Sequence, residues 1–149
     1  MRKFIIDGNN LIGKIPELKS IPKSNNQSAR ERLAAILDRF CTGKKIKLSL
    51  HFDGFAGPAI RTNHLSIHYS DSRPADDLIR REIEHSKNPK LITVVSSDNS
   101  LGSFAKACSC TVIKAETFAK ELFKKDINDE ADRIKGISKE EIKRLFELG

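Results

Sequence analysis

Five short apolar runs, separated by stretches with helical periodicity, constrain the fold of this chain more than any other feature. Phe4-Ile5-Ile6, residues 46–52 (IKLSLHF), 65–69 (LSIHY), 91–95 (LITVV) and 111–113 (TVI) each have the length and the apolar content of a buried strand. Between them, residues 28–41 place Ala29, Leu33, Ile36, Leu37 and Phe40 on one helical stripe, and residues 75–86 and 100–108 predict two further helices. Strands alternating with helices predict a three-layer α/β/α domain, Rossmann-like, around a mainly parallel central sheet. Residues 53–63 have no helical pattern, so the link between the second and third strands is open between an irregular crossover and a hairpin.

The 149 residues fit one domain over 1–149, with no internal repeat and no boundary. Ser138-Lys139-Glu140-Glu141 has capping-box spacing and predicts a last helix over about 138–147, packed through Ile142, Leu145 and Phe146. Residues 14–27, with Pro16, Pro22 and a run of small polar residues, and residues 53–63, with Gly54, Gly57 and Pro58, read as loops. Both follow strands, so both are expected over the carboxyl edge of the sheet, where open α/β folds bind ligands. Cys41, Cys108 and Cys110 are odd in number, and Cys108-Ser109-Cys110 is too tight for a zinc half-site. Buried, inert thiols in a reducing cytoplasm are expected. No run approaches the roughly 18 apolar residues of a membrane span, so no membrane partner is expected.

Aspartates stand where the strands stop. Asp7 ends the first strand, Asp53 the second, and Asp98 follows the apolar run that ends in Val95-Ser96-Ser97. In a parallel sheet these three side chains converge on one edge, where like charges raise each other's pKa or recruit a cation such as Mg²⁺. Taken singly, each is equally suited to a turn or a helix cap. Arg73-Pro74-Ala75-Asp76-Asp77 adds two more carboxylates at a helix start. With Ala75, Leu78, Ile79 and Ile83 as the buried stripe, a rotation of about 100° per residue places Asp76 at its border, toward the cleft, and Asp77 nearly opposite. Gly8 is expected to let the chain turn sharply after Asp7. Asn9 and Asn10 offer neutral polar groups beside it, Asn10 being the better placed to orient a water or phosphate. The four histidines, His51, His64, His68 and His85, read as packing or surface groups.

The net charge of +7 is unevenly distributed, because residues 120–149 hold eight basic and eight acidic residues and the excess lies in residues 1–119. A basic surface around a small acidic centre suits a metal-dependent enzyme acting on a polyanion. Lys14, Lys19 and Lys23 in the first loop, Arg61 in the second, Arg73, and Arg80 with Arg81 on the following helix are candidates for holding phosphates. Tyr69, Phe52 and Phe55 are the aromatic groups near the same edge.

DGNNLIG (7–13), IPEL (15–18), HFDG (51–54), ADDLI (75–79), SSDN (96–99) and the final ISKEEI (137–142) occur in an order and spacing that resembles the NYN domains of the PIN-like nuclease superfamily, and among them the YacP-like bacterial proteins. The resemblance implies a PIN-like domain that hydrolyses RNA endonucleolytically with Mg²⁺ or Mn²⁺, with mRNA, free or on the ribosome, as substrate or partner. By motif, Asp7, Asp76 and Asp98 correspond to the metal-binding acidic set, Asn10 to their polar companion, and Asp77 and Asp53 to supporting residues. Two positions depart from the family pattern. Gly102 stands where an acidic or amide residue is common, and Arg80 stands where YacP-like proteins commonly have Glu. A non-catalytic RNA- or ribosome-binding module is the alternative expectation, and a DNA flap or exonuclease activity a lesser one.

Overall fold

The computed structural model describes residues 1–124; the helix expected over 138–147 lies outside the described residues. The elements run β1 (Arg2–Asp7), α1 (Gly8–Ile12), α2 (Pro16–Lys19), α3 (Asn26–Cys41), β2 (Ile46–Phe52), β3 (Leu65–Tyr69), α4 (Ala75–Glu84), β4 (Ile92–Val95), α5 (Asn99–Ala107) and β5 (Thr111–Ile113). A helical segment over 115–124, α6, follows. The sheet has the order β3-β2-β1-β4-β5, and every pair is parallel. The hairpin option for 53–63 is therefore excluded, since β2 and β3 run the same way.

Side-chain alternation divides the core between the two sheet faces. Ile6, Leu48, Leu50, Phe52 and Val95 pack with Leu11, Ile15, Leu18, Leu33, Leu37, Phe118 and Leu122 beneath α1, α2, α3 and α6. Ile5, Ile92 and Val94 pack on the other face with Ile79, Ile83, Leu101 and Ala105 of α4 and α5. The interior strand β4 is buried throughout, whereas the edge strand β3 is half-buried at alternate residues and exposed between them.

Residues 14–27 are not the open loop that their prolines and polar run predict. Pro16 starts α2, a short 3-10 turn covers Lys23–Asn25, and Ile15 and Leu18 are fully enclosed in the core. Two well-spaced apolar residues outweigh the polar composition around them. The crossover from β2 to β3 does lack a helix and is pinned to α3 instead. Arg30 donates to the carbonyls of Asp53 and Phe55 at 2.6 and 2.9 Å, Gln27 to that of Pro58, and the Asp38 carboxylate accepts from the backbone of Asn63 and His64. Arg30 is 5 % exposed and lies over the rings of Phe52 and Tyr69, so this guanidinium replaces the missing helix as the anchor of the loop.

Candidate active site

The carboxyl edge is built where β1 passes directly into α1. Gly8 opens this helix, and its role differs from the sharp turn expected of it. A Cβ at this position would stand 2.7 Å from the His51 carbonyl oxygen and 2.8 Å from the Phe52 ring, so close approach of β2 excludes any side chain. The two amides that follow stitch neighbouring strand ends together. Asn9 Oδ1 accepts from the backbone N–H of Asp53 at 2.9 Å, and Asn10 Oδ1 accepts from that of Ser97 at 2.8 Å. The DGNN run thus holds the ends of β2 and β4 on either side of Asp7.

Asp7 is mostly buried there. Burial, reinforced by the charges of Asp53 and Asp76, pushes its carboxyl up to about 6 against the opposing hydrogen bonds of Ser96 Oγ and the Asn10 backbone. Asp76 lies half-buried at the border of the α4 stripe and Asp77 is exposed. One Asp76 oxygen accepts from Arg80 Nε at 2.8 Å, while the other, Oδ1, is buried with no hydrogen-bond partner. Asp53 accepts from the backbone N–H of Ala75 at 2.7 Å, holding the start of α4 beside Asp7. Asp98 is placed differently: it is exposed, and its Oδ1 caps α5 by accepting from Leu101 N–H at 2.9 Å. It is tied to Asp7 through Ser96, whose hydroxyl donates to Asp7 and accepts from the Asp98 backbone N–H.

The basic residues divide in the same way. Lys14, Lys19, Lys23, Arg61, Arg73 and Arg81 are exposed, as phosphate contacts require. Arg80 is committed: besides Asp76 it donates to Ser100 Oγ at 2.9 Å, and it stacks over the Phe104 ring. Phe55 is 68 % exposed on the anchored crossover, directly after Asp53-Gly54. Gly102 is buried, and a Cβ there would be in ordinary contact with Val112, so a side chain is not sterically excluded at that departure.

Two groups of residues were not expected from sequence to act together: Glu116 was not singled out, and His51 and His68 were read only as packing or surface groups. Glu116, just after β5, accepts a short hydrogen bond from Ser97 Oγ, which lowers its pKa with help from the charges of Lys14 and Lys114. It follows a strand as the aspartates do, which was the available signal. The second group lies under α4, where His51, His68 and Glu82 bring ligand-type atoms within 4.8 Å of one another. Its signal is the near-identity of LSLHF and LSIHY, which pair residue for residue in adjacent strands.

The donor set at the edge fits a hard divalent cation: carboxylate oxygens, one buried without a partner, and a central carboxyl whose proton affinity is raised by burial and, to a lesser degree, by its like-charged neighbours. Fold and site together define a parallel α/β domain of the nuclease-like type with an acidic carboxyl edge. The chain belongs to the YacP-like NYN domain family, whose model matches residues 4–147. No curated protein sequence matches the chain. Among solved structures it is similar to Rae1 (YacP) from Bacillus subtilis, with a TM-score of 0.74 at 22 % identity over 99 % of this chain and 88 % of that one. A point mutant of the same Bacillus subtilis protein matches with a TM-score of 0.74 at 18 % identity, over 97 % and 91 % of the two chains. No helix among the described residues is long and apolar enough to cross a membrane.

Proposed function

We propose that this chain is a Mg²⁺- or Mn²⁺-dependent endoribonuclease acting on RNA, mRNA foremost, whether free or on the ribosome. The observation that carries the reading is the mostly buried Asp7, facing the charges of Asp53 and Asp76 at the sheet edge, beside an Asp76 oxygen that has no partner. Asp7, Asp76 and Asp98 would hold the ion, with Asp53 and Asp77 in support. A divalent ion so held supplies Lewis acidity toward a phosphate oxygen and a water acidic enough to act as nucleophile.

The chain's own residues do the rest. Asn10, its carbonyl fixed on Ser97, has its Nδ2 free to donate to a water or phosphate oxygen beside Asp7. Lys14, Lys19, Lys23, Arg61, Arg73 and Arg81 hold the RNA backbone, and the braced segment 53–55 keeps Asp53 in place.

One observation favours a second reading, an RNA- or ribosome-binding module that does not cut. The Arg80 guanidinium neutralises one face of Asp76, as a cation would. The two readings separate in a cleavage assay on labelled mRNA, free and on ribosomes, with wild type and Asp98→Asn side by side. Cleavage that requires both the metal and Asp98 supports the nuclease. RNA binding without cleavage at any metal concentration transfers the assignment to the binding module.

A further inference from the structure

We propose that His51, His68 and Glu82 form a second metal site, selective for a borderline-soft transition cation of the Zn²⁺ type, that staples α4 to strands β2 and β3. The placement follows from the topology. His51 and His68 are register partners in adjacent parallel strands, and their rings stack with centroids 4.7 Å apart and planes 20° from parallel. Glu82 reaches down from α4, its Oε1 2.9 Å from His51 Nε2. No helix from the β2–β3 link covers this face, since that link is pinned to α3 on the other side.

Two imidazoles and one carboxylate are a known zinc-type donor set, whereas the oxygen-only edge around Asp7 suits harder ions. The three ligand atoms lie within 4.8 Å of one another. Tetrahedral zinc, with bonds of about 2.0–2.2 Å, asks for ligand separations of about 3.3–3.5 Å, so the longest gap must close by roughly 1.5 Å. His68 can supply that motion, because it is exposed on the edge strand, while His51 is 2 % exposed and fixed. His51 Nδ1 is also buried with no hydrogen-bond partner, so the contact with Glu82 meets only half of this imidazole's capacity. Glu82 is only partly exposed, with a side chain 18 % accessible, and solvent at this opening can provide a water as fourth ligand.

The charges are compatible with an incoming cation. Lys3 Nζ, 2.7 Å from Glu82 Oε2, provides the countercharge now, and its side chain is 35 % exposed, so it can move into solvent when an ion arrives. Burial pushes the Glu82 carboxyl up, but hydrogen bonds from His51, Lys3 and Ser49 outweigh it and hold the pKa at about 2. Burial and the neighbouring His51 lower that of His68. A charged carboxylate and neutral imidazoles are the forms that bind metal. An ion here would fix the helix whose first turn carries Asp76, without itself belonging to the carboxyl edge.

The test is a titration of chelator-stripped full-length protein with Zn²⁺ against a chromogenic chelator, repeated with Co²⁺ to read coordination geometry. Wild type should bind one ion tightly enough to compete with the chelator, with the intense visible band of a tetrahedral Co²⁺ site, and Zn²⁺ should raise the Tm. His68→Ala, an exposed position that the fold tolerates, and Glu82→Gln should each weaken binding by about 100-fold, whereas Asp7→Asn should leave it intact. Absence of stoichiometric binding, an octahedral Co²⁺ spectrum, equal affinity in His68→Ala, or loss in Asp7→Asn would each overturn the proposal. None of these results bears on RNA cleavage at the other site.

Discussion

Asp7→Asn should make the metal-free protein more stable while abolishing its proposed activity, and the size of the gain can be worked from the site. Asp7 has its pKa raised from 3.8 to about 6 in the folded chain. A carboxyl whose folded pKa lies above its unfolded value favours folding when protonated. Its penalty therefore sets in as pH rises from about 4 and is complete above about 6. That rise corresponds to at most about 3 kcal/mol, and screening at a partly exposed side chain reduces the expected cost to about 1–2 kcal/mol. Asparagine keeps the shape and the acceptor for Ser96 without the charge. In urea unfolding with EDTA present, Asp7→Asn should exceed wild type by about 1–2 kcal/mol at pH 8 and lose that advantage at pH 4. Saturating Mg²⁺ should restore wild type toward the variant, because a bound cation compensates the buried charge of Asp7 and its smaller repulsion from Asp53 and Asp76. A variant that is less stable than wild type at pH 8, or a difference that does not change with pH, would refute the electrostatic account of this site.

Three other substitutions test separate parts of the argument. Arg80→Gln removes the cation paired with Asp76, so it should tighten Mg²⁺ binding measured by calorimetry and cost no more than about 1 kcal/mol in stability through the lost contacts with Ser100 and Phe104. Unchanged metal affinity with weakened RNA binding would instead assign Arg80 to the substrate. Gly8→Ala places a methyl group 2.7 Å from the His51 carbonyl and should cost on the order of 3 kcal/mol in denaturant unfolding, a cost that a merely flexible turn would not show. Arg30→Met keeps the aliphatic packing but leaves the carbonyls of Asp53 and Phe55 without their donor. It should cost about 1–3 kcal/mol and speed amide exchange in 53–57, and stability equal to wild type would remove Arg30 as the anchor of the crossover.

The alternation of apolar runs with helical stripes was sufficient to predict the parallel three-layer fold, because each signal is local and repeated. Asp76 and Asp77 were likewise ranked by helical rotation alone, and the structure leaves the first half-buried and the second exposed. Contacts distant in sequence were not legible. Gly8 reads as a turn residue until β2 is seen to pass beside it, and nothing local in the sequence marks Arg30 as the group over which the crossover closes. Ile15 and Leu18 were hidden among prolines and polar residues whose composition resembles a loop. His51 and His68 were read one at a time, so their pairing emerged only when two like strands were placed side by side in register.

The central claim is that the acidic edge around Asp7 is a hard-cation centre for RNA hydrolysis. Its most direct test is single-turnover cleavage of labelled RNA by wild type and Asp7→Asn with Mg²⁺ or Mn²⁺, with RNA binding measured in the same samples. The account predicts metal-dependent cleavage by wild type and none by Asp7→Asn, both binding RNA with similar affinity. Cleavage by Asp7→Asn at the wild-type rate, or wild-type cleavage that persists in EDTA, would contradict it.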